Sequence, residues 1–169
     1  KNEGVYDGPN PVQGALIPSR ARPAGETPAY TLSQILRMLD ALPLLPKALV
    51  ATASFAGLRE GELAGLEWSD LSEEEILVSR TVWRGHVGRP KTRASAASVP
   101  VIAELARILR EYKQSLGASA AGVMFQTSTG ERLDLDKFGR KHVRPIVEAI
   151  GLPWYGWHGF RRGIASNLY

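Results

Sequence analysis

Apolar residues first fall into a helical rhythm after Thr31-Leu32-Ser33-Gln34, where Ile35, Leu36, Met38, Leu39 and Leu42 share a spacing of three and four. The Thr31 and Gln34 pair is a capping-box pattern, and Pro43 ends the helix. A second apolar helix is predicted over about Leu45 to Ala56, with Gly57 as its C-terminal stop. A short third helix begins near Arg59 and carries Leu63 and Leu66. The period then changes. Ile76-Leu77-Val78, Arg80-Thr81-Val82-Trp83 and Ser98-Val99-Pro100-Val101 read as three short strands, with Gly85, Gly88 and Pro90 marking turns. Helices resume over Ile102 to Leu116, where Leu105, Ile108, Leu109 and Tyr112 share a face. Val123-Met124-Phe125 is a short buried extended segment. Leu135 to Ile150 is helical, kinked at Pro145 and closed by Gly151, and a last helix starts near Trp157 or His158. Lys1 to Thr27 is rich in Gly, Pro and Ala with little periodicity, which marks residues 1–27 as a linker or extended arm and 28–169 as the domain. The order of elements predicts a mostly helical α+β domain with a small three-stranded antiparallel sheet.

Composition narrows the class. The chain has 169 residues, 44% of them hydrophobic, enough for one ordinary domain with a real core. It has no cysteine, which excludes disulfide scaffolds and thiolate metal sites and suits a reducing, cytoplasmic setting. No run approaches the roughly 20 apolar residues of a membrane span, and no N-terminal run has the form of a signal peptide. The longest apolar stretch, Ala41 to Leu58, is broken by Pro43 and Pro46 and reads as core. Net charge is +4, a modest lean toward polyanions. Its distribution says more: from Ile76 to Ala103 there is no Asp or Glu, while Arg80, Arg84, Arg89, Lys91 and Arg93 all fall there, with His86. That field suits a nucleic-acid backbone, and it equally describes a solvated basic hairpin; charge alone leaves both readings open.

The candidate chemistry centres on two arginines able to grip one phosphate. Arg59 lies in Gly57-Leu58-Arg59-Glu60-Gly61-Glu62-Leu63, and Arg161 in His158-Gly159-Phe160-Arg161-Arg162-Gly163. In-line displacement at a phosphodiester builds negative charge on the non-bridging oxygens, which permanently protonated, bidentate guanidiniums can stabilise. Lys91, between Arg89 and Arg93, is placed to protonate a leaving oxygen if those cations draw its pKa down. Histidine is the side chain suited to holding or accepting a proton near neutral pH, and His158 fits that role. Glu62 is a candidate to orient Arg59 by a charged hydrogen bond. Each has a plainer reading: Arg59 as a helix-start arginine paired with Glu62, Lys91 as a hairpin-tip lysine, His158 as a capping or core histidine, Arg161 as a helix-surface residue. Glu73-Glu74-Glu75 reads as solvated surface, so no metal cofactor is expected. His86 and His142 read as structural or surface residues, Trp68 as packing under the arginine turn, and Trp83, Trp154 and Trp157 as core or rim.

Taken together, the arginine box with Leu66, Trp68 and Asp70, the segment Lys91-Thr92-Arg93-Ala94-Ser95 with Val99-Pro100, and the box His158 to Arg161 resemble the catalytic domain of the tyrosine recombinase (phage integrase) family, over about Thr27 to Tyr169. The resemblance implies that Arg59, Lys91, His158 and Arg161 surround a scissile phosphate, with Arg80, Arg84, Arg89, Arg93 and Arg162 along duplex DNA. It implies DNA cutting and rejoining through a covalent phosphotyrosyl link, by a homo-tetramer on nucleoid DNA, with no membrane partner. Tyr169 lies too close to Arg161 to match the family's nucleophile, so the chain is expected to be truncated before it, and inactive in cleavage as a fragment. Ala96 and Ala97 stand where many relatives carry arginines, and Arg162 where a histidine is frequent. A non-catalytic DNA-binding module on the same fold is the alternative, and a type IB topoisomerase-like enzyme a third.

Overall fold

The computed structural model describes residues 28–88, 98–117 and 120–167. Its organising element is α2 (Leu44–Phe55), which is apolar on nearly every side and accordingly buried on nearly every side: Ala48, Leu49, Val50 and Ala51 have no exposed surface. The buried Thr52 hydroxyl turns back onto the Ala48 carbonyl at 2.8 Å, so this polar group enters the core already bonded. Amphipathic helices close around it. The helix α1 (Leu32–Ala41) lays Ile35, Met38 and Leu39 inward, and α4 (Ala103–Leu116) lays Leu105, Ile108, Leu109 and Tyr112 inward. The Thr31–Gln34 capping box forms as the sequence predicts, with bonds of 3.0 and 3.2 Å.

The strands are divided differently from the expected three-stranded sheet. Among the described residues, four short strands make two antiparallel pairs: β1 (Glu75–Leu77) with β4 (Ser98–Pro100), and β2 (Thr81–Trp83) with β3 (His86–Gly88). The break comes at Ser79 and Arg80, where side chains win over the ladder. The buried Asp70 carboxylate accepts from the Ser79 hydroxyl at 3.2 Å and from the Arg80 guanidinium at 2.6 Å, so the chain turns out of β1 before β2 begins. Strand β3 carries no signal in the sequence, because its residues, His86-Val87-Gly88, have no buried face to impose an alternation.

Past α4, Met124 and Phe125 are buried, and the Met124 N–H reaches the Leu66 carbonyl at 3.0 Å. The expected helix to Ile150 is present in three pieces: α5 (Leu135–Phe138), a π-wound turn Gly139–Val143 and α6 (Arg144–Ala149). Pro145 lacks an N–H and crowds the carbonyl four residues back, and the wider winding just before it relieves that conflict. The last helix, α7 (Trp157–Asn167), crosses α2 and packs on Tyr30. A Cβ on Gly163 would stand 2.4 Å from the Tyr30 carbonyl oxygen, so only glycine permits this approach. Tyr30 stacks on Phe160 at 4.5 Å, donates its hydroxyl to the Pro153 carbonyl at 3.2 Å and accepts the Tyr155 N–H at 2.6 Å. No helix among the described residues is long and apolar enough to cross a membrane.

Burial pushes the Tyr30 hydroxyl up from 10.0 to about 12. The unfolded chain then ionises first, so stability is whole below the ordinary tyrosine range and declines as pH rises through it toward the raised value. Tyr30→Phe should cost about 1–3 kcal/mol at neutral pH by stranding the Tyr155 N–H. Urea denaturation at pH 7 and above pH 10 should show the variant's deficit shrinking in alkali.

Candidate active site

The site begins where α2 stops. Gly57 takes a left-handed backbone (φ +63°), which ends the helix and turns the chain into α3 (Glu60–Gly65) with Arg59 at its N-cap. Glu62, one turn in, folds back on Arg59. Its Oε2 accepts the Arg59 backbone N–H and its Oε1 accepts Arg59 Nη1, both at 2.8 Å. The Glu62 side chain is 7% exposed and that of Arg59 51% exposed, so the carboxylate is an inner anchor and the guanidinium faces outward from it. A carboxylate in the first turn also sits well against the positive end of the helix.

The second arginine arrives from the far end of the chain at the same turn. Arg161 donates Nη1 to the Gly57 carbonyl, two residues before Arg59. The approach is close: a Cβ on Gly57 would lie 2.8 Å from Ile164 Cδ1 on α7. A guanidinium carries five N–H donors, so this bond does not exhaust Arg161, which is exposed. His158, at the start of α7, is exposed one turn earlier.

The third wall is the β2–β3 hairpin, brought against α3 through a seam of small residues. A Cβ on Gly61 would meet Thr81 Oγ1 at 2.5 Å and the Val82 carbonyl oxygen at 2.8 Å, and one on Gly65 would meet the Arg80 carbonyl oxygen at 2.8 Å. The hairpin is also fixed from below. Arg80 pairs with Asp70 and, at 3.3 Å, with Glu67, while Arg132 bonds Glu67 and reaches the Ala64 and Gly65 carbonyls at 3.0 and 3.1 Å. These two arginines satisfy the carbonyl end of α3 and tie it to the hairpin and to the approach to α5.

Between these walls lies an open cleft of about 720 Å³. Arg59 and Glu60, residues 81–85 of the hairpin, residues 132–136 and His158 line it. The sequence-predicted residues thus divide. Arg59 and His158 share the cleft, and Arg161 joins the same turn through Gly57 without lining it. Arg84 stands at the rim and Arg162 is exposed on α7. Arg80, read from the sequence as facing DNA, has its guanidinium directed inward to Asp70, Glu67 and the Gly65 carbonyl. Arg89, Lys91 and Arg93 lie outside the described residues. His86 is exposed and His142 lies against the Phe138 ring at 4.7 Å.

Sequence reasoning missed Glu60, Arg132, Asp134 and Asp136. Their acidic members give the cleft a mixed charge. Asp134 caps α5 by accepting the Lys137 N–H at 3.0 Å, a bond that holds its carboxyl below the usual range. Glu60 is pushed the other way, upward, first by burial and then by Asp136 and Asp134, with His158 opposing. The Asp134 and Lys137 spacing was a readable cap signal; Arg132 and Glu60 carry none beyond their charge. Among the described residues no group of three or more His, Asp and Glu is arranged to hold a metal ion.

The chain is similar to known proteins in sequence and in fold. No protein-family profile matches the chain. A tyrosine recombinase XerC-like protein of Caldanaerobacter subterraneus subsp. tengcongensis is 28% identical over 97% of the chain and 50% of its own length. The chain is thus similar in sequence to a tyrosine recombinase over nearly its whole length. Among solved structures, XerA recombinase matches with a TM-score of 0.67 at 21% identity, covering 88% of this chain and 52% of that one. The Tn1549 transposon integrase, solved with circular intermediate DNA, gives 0.66 at 19% identity over 83% and 53%. The lambda integrase catalytic core gives 0.59 at 17% identity over 83% and 82%. The fold is therefore that of the tyrosine recombinase catalytic domain, and the chain spans about half the length of the curated relative it matches.

A carboxyl raised by its surroundings binds protons more tightly folded than unfolded, so Glu60 subtracts stability as pH rises above the ordinary carboxylate range. Glu60→Gln should therefore raise the thermal midpoint at pH 7, and the gain should fade as pH drops to 4. A variant that gains equally at both pH values would place the cause elsewhere.

Proposed function

We propose that this domain is the catalytic half of a site-specific DNA recombinase, binding duplex DNA and handling one backbone phosphate at the Arg59 turn. The observation that carries the reading is the delivery of both box arginines to one place: Arg161 bonds the carbonyl of Gly57, two residues from Arg59, across 104 positions of sequence. His158 lines the same cleft as Arg59. Fixed guanidiniums can accept the growing charge of a pentavalent phosphorus without moving, because Glu62 and the Gly57 carbonyl already orient them. His158 is placed to manage a proton at the attacking oxygen. Lys91 is proposed, on the family resemblance, to serve the leaving 5′-oxygen, and the attacking group to be a tyrosine that follows Tyr169 in the intact protein. In that reaction the tyrosine oxygen forms a bond to phosphorus as the bond to the 5′-oxygen breaks, and the proton passes from tyrosine to the enzyme and from enzyme to the leaving oxygen. Strand exchange by a tetramer belongs to the same proposal. The mixed charge of the cleft and the outward Arg84 and Arg162 support DNA affinity that is moderate and salt-sensitive.

In an intact protein carrying the nucleophile, Arg59→Ala or Arg161→Ala should each cost on the order of 3 kcal/mol or more in the cleavage step, by analogy with a lost oxyanion donor. Single-turnover cleavage of a labelled duplex measures it. Near-normal turnover of either variant would remove that arginine from the chemistry.

A further inference from the structure

The β2–β3 hairpin ends in a feature that phosphate chemistry does not use. Trp83 is 71% exposed at the lip of the cleft. The other three tryptophans are sheltered: Trp68 and Trp157 are buried and Trp154 is half-buried. The Arg84 guanidinium lies 5.2 Å from the Trp83 ring centroid, covering one side of the indole. Val87, 57% exposed, continues the apolar tip on the partner strand. Arg84 holds a left-handed backbone (φ +48°) ahead of Gly85 (φ +81°), the geometry of a tight two-residue hairpin turn, so the two side chains are presented on a short, defined support. The seam at Gly61 and Gly65 fixes that support against the helix that begins at Arg59.

An exposed indole backed by a cation could serve a protein partner or a nucleic acid. The charge of its own segment favours the latter: from Ile76 to Ala103 the sequence has no acidic residue and Arg84 is the immediate neighbour, while Glu60, Asp134 and Asp136 lie on the other walls of the cleft. An intact duplex offers an indole only base edges and sugars, since every base face is covered by the next. A strand break uncovers a base face beside the phosphate where cutting occurs, and aromatic side chains stack on such faces without regard to sequence.

We propose that Trp83, supported by Arg84, is a stacking platform for the base exposed at a strand interruption beside the phosphate bound at the Arg59 turn. The inference rests on the recombinase reading and deepens it: the domain prefers interrupted over continuous duplex, and holds the broken end close while it awaits rejoining.

The test is fluorescence anisotropy of this chain with a labelled duplex in two forms, continuous and carrying a one-nucleotide gap, across a salt series. The parent chain should bind the gapped form more tightly. Trp83→Ala should lose roughly 5- to 100-fold on the gapped form and little on the continuous one, with the salt slope unchanged. Trp83→Phe should keep most of the preference. Arg84→Ala should weaken both forms and reduce the salt slope by about 1. Circular dichroism melts should leave all three variants folded, as expected for exposed positions. Equal preference in Trp83→Ala and the parent overturns the platform while leaving the recombinase reading intact. So does a loss of self-association in Trp83→Ala, seen by sedimentation, without a change in DNA affinity. A parent chain that binds neither DNA overturns both.

Discussion

Everything in the candidate site hangs on the carbonyl of Gly57. It belongs to the residue that ends the central buried helix, and it is the acceptor that receives Arg161 from the opposite end of the sequence. A left-handed residue without a side chain is needed there for two reasons at once: the helix must stop, and Ile164 must pass within contact of the turn. The position of Arg59 relative to Arg161 is thus set by a backbone group on a rigid element. Flexible side chains meeting in solvent could not supply that constraint.

The basic residues of the domain separate into two kinds by what surrounds them. Arg80 and Arg132 spend their donors on Asp70, Glu67 and the carbonyls at the end of α3, so they act as fasteners between helix, hairpin and the strand-like segment leading to α5. Arg84 and Arg162 are exposed, where their charge reaches outward. Arg59 stands between the two kinds, anchored by Glu62 on one side and half exposed on the other. Net charge would count these arginines alike. The acidic residues of the cleft work against indiscriminate anion binding, since Glu60, Asp134 and Asp136 repel any phosphate not held by well-placed donors.

Much of this was legible in the chain itself. Amphipathic spacing placed α1 and α4 within a residue or so, and the apolar run of α2 with Gly57 behind it identified both the core helix and its stop. Two of the three motif segments named Arg59, His158 and Arg161, which the fold brings to the Gly57 turn and its cleft, while the third, with Lys91, lies outside the described residues. Other features depend on tertiary context. Nothing local distinguishes Arg80 from Arg84; Asp70, Glu67 and the Gly65 carbonyl behind it pull one inward. Strand β3 has no buried side to impose a pattern, and the division of the sheet follows from side-chain bonds at Ser79 and Arg80 that no periodicity encodes. Pro145 announced a disturbance in the helix but not its form, a π-wound turn whose Gly139 lies against Trp154 and Trp157.

Tyr30 has a mechanical consequence. Its ring lies on Phe160, its hydroxyl bridges Pro153 and Tyr155, and its carbonyl is pressed against Gly163. The point where the polypeptide enters the domain is thereby clamped to the same helix that carries His158 and Arg161. The backbone at Tyr30 and the helix that carries Arg161 are thus tied into one packed unit.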